Sequence, residues 1–314
     1  SLLLDSDKSD VVVKDQSVFK RKSVEYSDWV KNYIASVIFP PSPINNLRTK
    51  AYQEVMEGEI NPNERIYSLN LPTGLGKTLI SLSFALKLKD QLRAEGANPR
   101  IIYALPFLSV IDQNSKVFDA VIRANGVDPD TSILLRHHHL SEVYYKDSGS
   151  EFEPDEAKIL IEGWNAEIIV TTFVQLFHTL ISNRNRSLRK FHRFADSIII
   201  LDEVQSIPVK YWLLMKTILK EISETLNAHI ILSTATEPLI FSKDETMQLA
   251  DRDFYFGSLD RITLIPLLHT PMTLEELREN ISPQEEKTYL YIFNTITTAR
   301  KFYSLIKDSR LPIT

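Results

Sequence analysis

From Ile66 onward the chain alternates short, uninterrupted apolar runs with stretches of helical periodicity. The runs Ile66 to Leu69, Ile101 to Ala104, Ile133 to Leu135, Ile168 to Thr171, Ile198 to Leu201 and His229 to Leu232 predict strands. None of them alternates with polar residues, which is the pattern of parallel strands covered by helices on both faces. The intervening periodicity predicts helices at 77–94, 109–124, 155–163, 173–182, 209–226 and 238–249. Strands and helices in this order define an α/β fold around a parallel sheet.

The two ends follow another pattern. Residues 1–14 mix aspartates with apolar residues, and a polar connector at 15–25 (Gln16, Lys20, Arg21, Lys22, Ser23) follows. A short helix is expected at 27–35, before Phe39-Pro40-Pro41-Ser42-Pro43, whose prolines stop any helix. Far along the chain, Tyr289 to Phe293 reads as a new buried strand and Thr297 to Ile306 as the helix after it. Thr314 then falls too early to complete a second α/β domain, so one complete domain plus pieces of others is the expectation.

Composition narrows the classes. With 314 residues and 43% hydrophobic content the chain can bury a large core. The absence of cysteine excludes disulfides and thiolate metal sites. No apolar stretch approaches membrane-spanning length and no signal peptide is visible, which points to a soluble, cytoplasmic protein with no membrane contact. A net charge of -5 argues against general coating of nucleic acid. The most basic window, Ser182 to Phe194 (Arg184, Arg186, Arg189, Lys190, Arg193), is either a solvated face or a support for a phosphate backbone.

Between the first strand and its helix lies Leu71-Pro72-Thr73-Gly74-Leu75-Gly76-Lys77-Thr78. Glycines allow a tight turn whose N–H groups approach phosphate oxygens, Lys77 adds a mobile positive charge, and Thr78 offers a hydroxyl to Mg²⁺. A turn that merely caps a helix does not need this order. The segment implies binding of a nucleoside triphosphate, with Pro72, Thr73, Gly74, Gly76, Lys77 and Thr78 around it.

Asp202 and Glu203 in Leu201-Asp-Glu-Val-Gln205 end another apolar run, so both acids should project at the sheet edge that carries the loop. The loop is expected on a neighbouring strand. Asp202 can then hold the Mg²⁺ that Thr78 touches, while Glu203 orients or deprotonates an attacking water. Ser233-Thr-Ala-Thr-Glu-Pro238 follows the next run and is expected one strand from the acids. There Ser233, Ala235 and Thr236 could couple the γ-phosphate to motion, or serve only as a helix N-cap. The consecutive His137, His138 and His139 point in different directions in any regular structure, so a polar loop is the default over a metal site.

Together, the phosphate loop, Asp-Glu-Val-Gln and Ser-Thr-Ala-Thr resemble motifs I, II and III of superfamily 2 helicases and translocases. Tyr103-Ala-Leu-Pro-Phe-Leu-Ser-Val-Ile-Asp-Gln113 is similar to motif Ia, Ile169 to Phe177 to the next strand-contact motif, and Ile292-Phe-Asn-Thr295 to the opening of motif IV. In these forms they resemble the CRISPR-associated helicase-nuclease family of type I systems, over about residues 44 to 306. Two departures are Leu71, where the loop normally has a small residue, and Gln205, where the wider family often has His.

The resemblance implies a RecA-like motor domain at 44–255, the start of a second at 256–314, a linker at 15–43, and at 1–14 the closing helix of an HD-type nuclease domain. Asp7 is then a candidate nuclease-metal ligand, with a divalent transition metal expected in that domain; an acidic, frayed terminus is the alternative. It implies ATP and Mg²⁺ as cofactors, catalytic roles for Lys77, Asp202, Glu203 and Gln205, and an adenine-side role for Arg48 or Gln53. Single-stranded DNA is the implied substrate, with Pro106, Phe107, Thr172 and Gln175 as candidate contacts and Arg184 and Arg186 of the basic window as further candidates. An RNA-guided surveillance complex is the implied partner of a monomeric motor. The arginine finger belongs to the second motor domain, so weak ATPase is expected of this chain alone. Another superfamily 2 DNA or RNA helicase, or a non-enzymatic ATP-dependent docking switch, remains as an alternative.

Overall fold

The computed structural model describes residues 2–14, 16–19, 21, 28–38, 40–61, 63–137, 146–147, 150–236, 240–259, 263, 265–266, 271–281 and 288–307. The chain divides into two compact units, Ser1–Leu259 and Asp260–Thr314.

Among the described residues of the first unit there are nine strands: β1 (Ile66–Asn70), β2 (Ile101–Leu105), β3 (Leu134–His137), β4 (Lys146–Asp147), β5 (Ser150–Glu151), β6 (Ile168–Thr172), β7 (Ile198–Asp202), β8 (His229–Thr234) and β9 (Met247–Gln248). Seven form one parallel sheet in the order β3-β6-β2-β7-β8-β1-β9, and β4 with β5 makes a short antiparallel pair. The unit's helices are α1 (Leu2–Val12), α2 (Trp29–Ser36), α3 (Pro43–Glu57), α4 (Lys77–Ala94), α5 (Leu108–Ala124), α6 (Pro154–Glu162), α7 (Phe173–Ile181), α8 (Asn185–Phe191), α9 (Trp212–Thr225) and α10 (Arg252–Gly257).

Why the strands lack polar alternation is visible in the core. Ile101, Tyr103 and Leu105 enter one apolar cluster together with Tyr67, Leu69, Ile200 and Ile231. Ile102 and Ala104 enter the other, with Ile199, Leu201, Ile230 and Leu232. Successive side chains point to opposite faces, and both faces are dry. Helix α4 supplies Leu82, Phe84, Leu86 and Leu88 to the first cluster, while Trp164, Phe194 and Leu219 belong to the second.

The segment before the sheet is tied down by charge. Asp5 of α1 accepts from Arg189 Nη2 at 3.2 Å and Nε at 3.3 Å, with Arg193 at 3.5 Å. Farther on, Arg21 pairs with Glu167, its Nη2 donating at 2.6 Å, and Lys89 Nζ donates to the same carboxylate at 2.8 Å. The Asp5 and Arg21 contacts span 184 and 146 residues of the chain.

Several expectations need correction. The helix expected at 238–249 is absent among the described residues: a 3-10 turn at Lys243–Glu245 leads into β9, which pairs with β1. Ser242 and Glu245 form a capping box, but the ladder offered by β1 outcompetes helix propagation. Residues 237–239, at the start of that expected helix, lie outside the described residues. The apolar run Tyr289 to Phe293 is no strand; Leu290 and Ile292 are exposed, and no neighbouring strand is present among the described residues of that unit to complete a ladder. In the second unit α11 (Leu274–Asn280) and α12 (Ile296–Ile306) are helical, and Phe302 of α12 is enclosed by the rings of Tyr291 and Phe293. Strand β8 lies between β1 and β7, so the loop and the acids are two strands apart rather than one.

Candidate nucleotide site

The loop at 71–78 joins the carboxyl end of β1 to α4. Gly74 has φ 88° and Gly76 φ 80°, the left-handed region that other residues reach only at a cost. Gly76 is the N-cap of α4 and has no side chain to occupy the first amides, so the amino terminus of an 18-residue helix opens toward the loop. Leu71, the departure from the usual small residue, is wholly buried, and its N–H donates to Thr234 O at 3.2 Å, which fastens the loop to β8. Leu75 plugs the core beneath the turn. Thr73 and Gly74 are exposed, and Pro72 and Thr78 are half-buried.

Arg48 donates through Nε to Gly74 O at 2.7 Å and through Nη1 to Asn45 at 2.7 Å. It therefore braces the loop backbone. Gln53 stands exposed farther along α3.

Lys77 is nearly enclosed, and its Nζ lies 3.6 Å from Glu203 Oε1. Motifs far apart in sequence thus meet at one edge of the sheet, as the carboxyl-end rule requires. Asp202 ends β7 and is also buried. Its Oδ2 accepts from the Tyr103 hydroxyl at 2.7 Å; its Oδ1 accepts from Ser233 Oγ at 2.8 Å and from the Glu203 N–H at 3.1 Å. Burial pushes the Asp202 pKa up, and the two hydroxyls and the Lys77 charge oppose the shift.

Glu203 adopts φ 55° and ψ 44°, a left-handed conformation that is uncommon for a non-glycine residue and recurs where function fixes the backbone. Gln205 Nε2 donates to the Glu203 carboxylate, and Gln205 Oε1 lies 2.6 Å from the Thr234 hydroxyl. That hydroxyl in turn accepts from the Thr236 N–H at 3.0 Å, with Ala235 half-buried between them. A continuous polar chain links Lys77, Glu203, Gln205, Thr234 and Thr236.

The donor set fits a magnesium-bound polyphosphate. A carboxylate and an alcohol are hard oxygen ligands of the kind Mg²⁺ takes alongside waters and phosphate oxygens, and the loop amides and Lys77 suit the phosphates. Among the described residues there is no cluster of three His, Asp or Glu side chains able to cage a metal by themselves. Asp7 is exposed on α1. His137 is a core residue whose Nδ1 accepts from Trp164 Nε1 at 2.9 Å, while His138 and His139 lie outside the described residues.

The expected nucleic-acid contacts divide. Phe107 is exposed at the N-cap of α5, just after the half-buried Pro106 at the end of β2. Thr172 is buried, and its hydroxyl accepts from the Gln175 N–H at 3.1 Å as the cap of α7, which leaves its own O–H free to donate. Gln175 is half-buried. The basic window forms α8, which sequence periodicity did not reveal. Arg184 and Arg186 are exposed, the latter 3.0 Å from Glu162, but Arg189 and Lys190 are buried and Arg193 donates to Gly163 O. Arg189, Lys190 and Arg193 of this window are therefore turned to structural contacts, while Arg184 and Arg186 stay on the surface. Two contributors escaped sequence reading: Tyr103, which looked like one more apolar strand position, and Thr234.

A glycine loop leading a helix out of a buried parallel strand, facing an Asp-Glu pair at the same end of the sheet, is the architecture of the P-loop nucleotide-binding proteins with a RecA-like sheet. More narrowly, the chain belongs to the DEAD/DEAH box helicase family, whose model matches residues 47–242, more than half its length. It is 37% identical over 194 residues to the CRISPR-associated nuclease/helicase Cas3 of Haloferax volcanii, covering 59% of this chain and 21% of that protein. The chain thus spans about a fifth of that relative's length. Among solved structures it is similar to the DUF1998 helicase MrfA (TM-score 0.48, 14% identity, 91% of this chain and 41% of that one). It is also similar to T. fusca Cas3-AMPPNP (TM-score 0.44, 19% identity, 63% and 22%). Among the described residues no helix is long and apolar enough to cross a membrane.

Proposed function

We propose that the chain carries the first motor domain of an ATP-driven, single-stranded-DNA translocase of the CRISPR-associated helicase-nuclease type. The observation that carries the reading is the meeting of Lys77 with Glu203, 3.6 Å apart, beside the hydrogen-bonded Asp202. In this reading Lys77 leaves Glu203 for the β- and γ-phosphates, and Thr78 and Asp202 hold Mg²⁺. The metal supplies charge neutralisation at the phosphate oxygens. Glu203, freed from the ion pair and still tethered by Gln205, orients the attacking water and takes its proton. Ser233, Ala235 and Thr236 report the state of the site along β8.

Residues 44–255 are the motor domain in this proposal, 256–314 the opening of a second, 15–43 a linker, and α1 the closing helix of a nuclease domain in which Asp7 is a metal ligand. Phe107, Pro106, Thr172, Gln175, Arg184 and Arg186 track a DNA strand, chiefly along its backbone. The motor is a cytoplasmic monomer that an RNA-guided complex recruits. In this reading turnover by residues 1–314 alone is weak, because the arginine finger, worth about 10³ to 10⁵ in rate, belongs to the second motor domain.

The test compares ATP hydrolysis by the full-length protein with single-stranded DNA, with RNA and with neither. DNA-specific stimulation, abolished by Glu203→Gln while nucleotide binding persists, is the expected result. Stimulation by RNA alone, or full turnover by Glu203→Gln, would overturn the proposal.

A further inference from the structure

We propose that Tyr103 is a positioning residue of the nucleotide site, whose hydroxyl aims the Asp202 carboxylate and thereby sets the Mg²⁺ requirement for nucleotide binding. The inference rests on the magnesium-nucleotide reading above.

A carboxylate offers about four acceptor positions. Three are occupied in Asp202: Ser233 Oγ and the Glu203 N–H both use Oδ1, and the Tyr103 hydroxyl uses Oδ2. The remaining acceptor position is on Oδ2, the oxygen Tyr103 holds. A metal ligated by Asp202 would meet that oxygen, in a direction that the phenol fixes.

The phenol is itself held rigidly. Tyr103 is fully buried, its strand is in register with β7 (Tyr103 opposite Ile200, Ala104 opposite Leu201), and its ring meets Phe118 edge-on at 5.0 Å. Ser81 and Thr78, from the first turns of α4, lie close to its oxygen. One hydroxyl therefore adjoins both protein groups expected to ligate the metal, Asp202 and Thr78. A phenylalanine would fill the same apolar volume, so the hydroxyl is the part packing does not explain. Partners that orient metal ligands in this way typically change metal affinity by about ten- to a hundredfold when removed.

The experiment measures binding of a fluorescent ATP analogue to this chain, first in EDTA and then during a Mg²⁺ titration. For Tyr103→Phe the Mg²⁺ half-saturation point should rise about ten- to a hundredfold, with affinity in EDTA unchanged. Tyr67→Phe is the control for general loosening: Tyr67 is equally buried, but its hydroxyl faces the backbone carbonyls of Asn61 and Glu64. Its Mg²⁺ dependence should match the parent. An unchanged midpoint in Tyr103→Phe, or the same rise in Tyr67→Phe, overturns the assignment. Should Tyr103→Phe fail to fold, Ser81→Ala keeps the phenol and removes one neighbour; a rise of at least about threefold supports the role, and no rise overturns it. Failure of the parent to bind the analogue with Mg²⁺ would instead refute the nucleotide-site reading itself.

Discussion

Ser233 donates its hydroxyl to Asp202 Oδ1 at 2.8 Å, and the two residues are direct partners across β7 and β8. The third motif is thus physically attached to the proposed metal ligand, through one of its three hydrogen bonds. Ser233→Ala should lower ATP turnover by about tenfold, the low end for loss of a ligand's orienting partner. Nucleotide affinity in EDTA should stay at the parental value. Turnover numbers and equilibrium titrations on the full-length protein separate the two, and equal loss in both would point to misfolding of the edge.

Gln205 bridges Glu203 and Thr234. Either partner's removal breaks the same bridge, so Gln205→Ala and Thr234→Val should reduce DNA-stimulated turnover in the same direction without weakening nucleotide binding. Their combination should cost less than the sum of the singles, since residues in one hydrogen-bond network are not independent. Strict additivity in a double-mutant cycle would show that Gln205 and Thr234 act separately.

Lys77 is the only side-chain cation paired with Glu203 among the described residues. A charge-assisted contact to phosphate is worth about 1.5–3 kcal/mol, so Lys77→Ala should weaken ATP binding by about 10- to 100-fold. Retention of parental affinity in an equilibrium titration would remove Lys77 from the phosphate site.

The sheet was largely legible because both of its faces are dry, which turns each central strand into an unbroken apolar run. The helices of the βαβ units followed from their periodicity. Where reading failed, tertiary pairing decided the outcome. β9 is two residues long and exists because β1 offered it a ladder. Tyr289 to Phe293 has strand-like residues and, among the described residues, no ladder to join. The glycine loop and the acids were legible from local order alone, whereas Tyr103 and Thr234 gained significance only when parallel register set them beside Asp202 and Gln205. The buried part of the basic window was illegible for a related reason: charge counts in sequence do not reveal that Asp5, nearly two hundred residues away, neutralises Arg189 inside the fold.

Glu167 joins the connector to the sheet. Burial alone would raise its pKa, but hydrogen bonding and charge from Arg21 and Lys89 more than offset this and hold it at about 2. The folded value lies below the ordinary 4.5, so the stabilisation is present above that range and is lost as pH falls from about 4.5 toward 2. Glu167→Ala leaves Lys89 buried without its countercharge, and breaking such a pair costs about 3–5 kcal/mol. A fall in unfolding midpoint of roughly 10 °C is expected at neutral pH, shrinking in acid as the parent loses the same interaction. Calorimetry at pH 7 and pH 3 checks both parts.

Lys190 poses the opposite case. It is fully buried, its Nζ has no hydrogen-bond partner among the described residues, and it lies 5.3 Å from the Trp164 ring centroid. Burial, reinforced by the charges of Arg186 and Arg189 and resisted by Glu162, pushes its pKa down to about 7. Below pH 7 the folded protein must carry a buried ammonium that water would solvate in the unfolded chain. Between pH 7 and 10.5 the unfolded chain binds more protons than the folded one, so stability attributable to Lys190 rises with pH across that window. Lys190→Met keeps an unbranched apolar stem and removes the amine. It should stabilise the protein by about 1–3 kcal/mol at pH 6, the usual cost of an unsatisfied buried polar group, and the gain should shrink as pH approaches 10. Denaturant unfolding of parent and variant at pH 6, 8 and 10 measures that difference; a variant less stable than the parent at pH 6 would show that the ammonium has a partner which outweighs its burial.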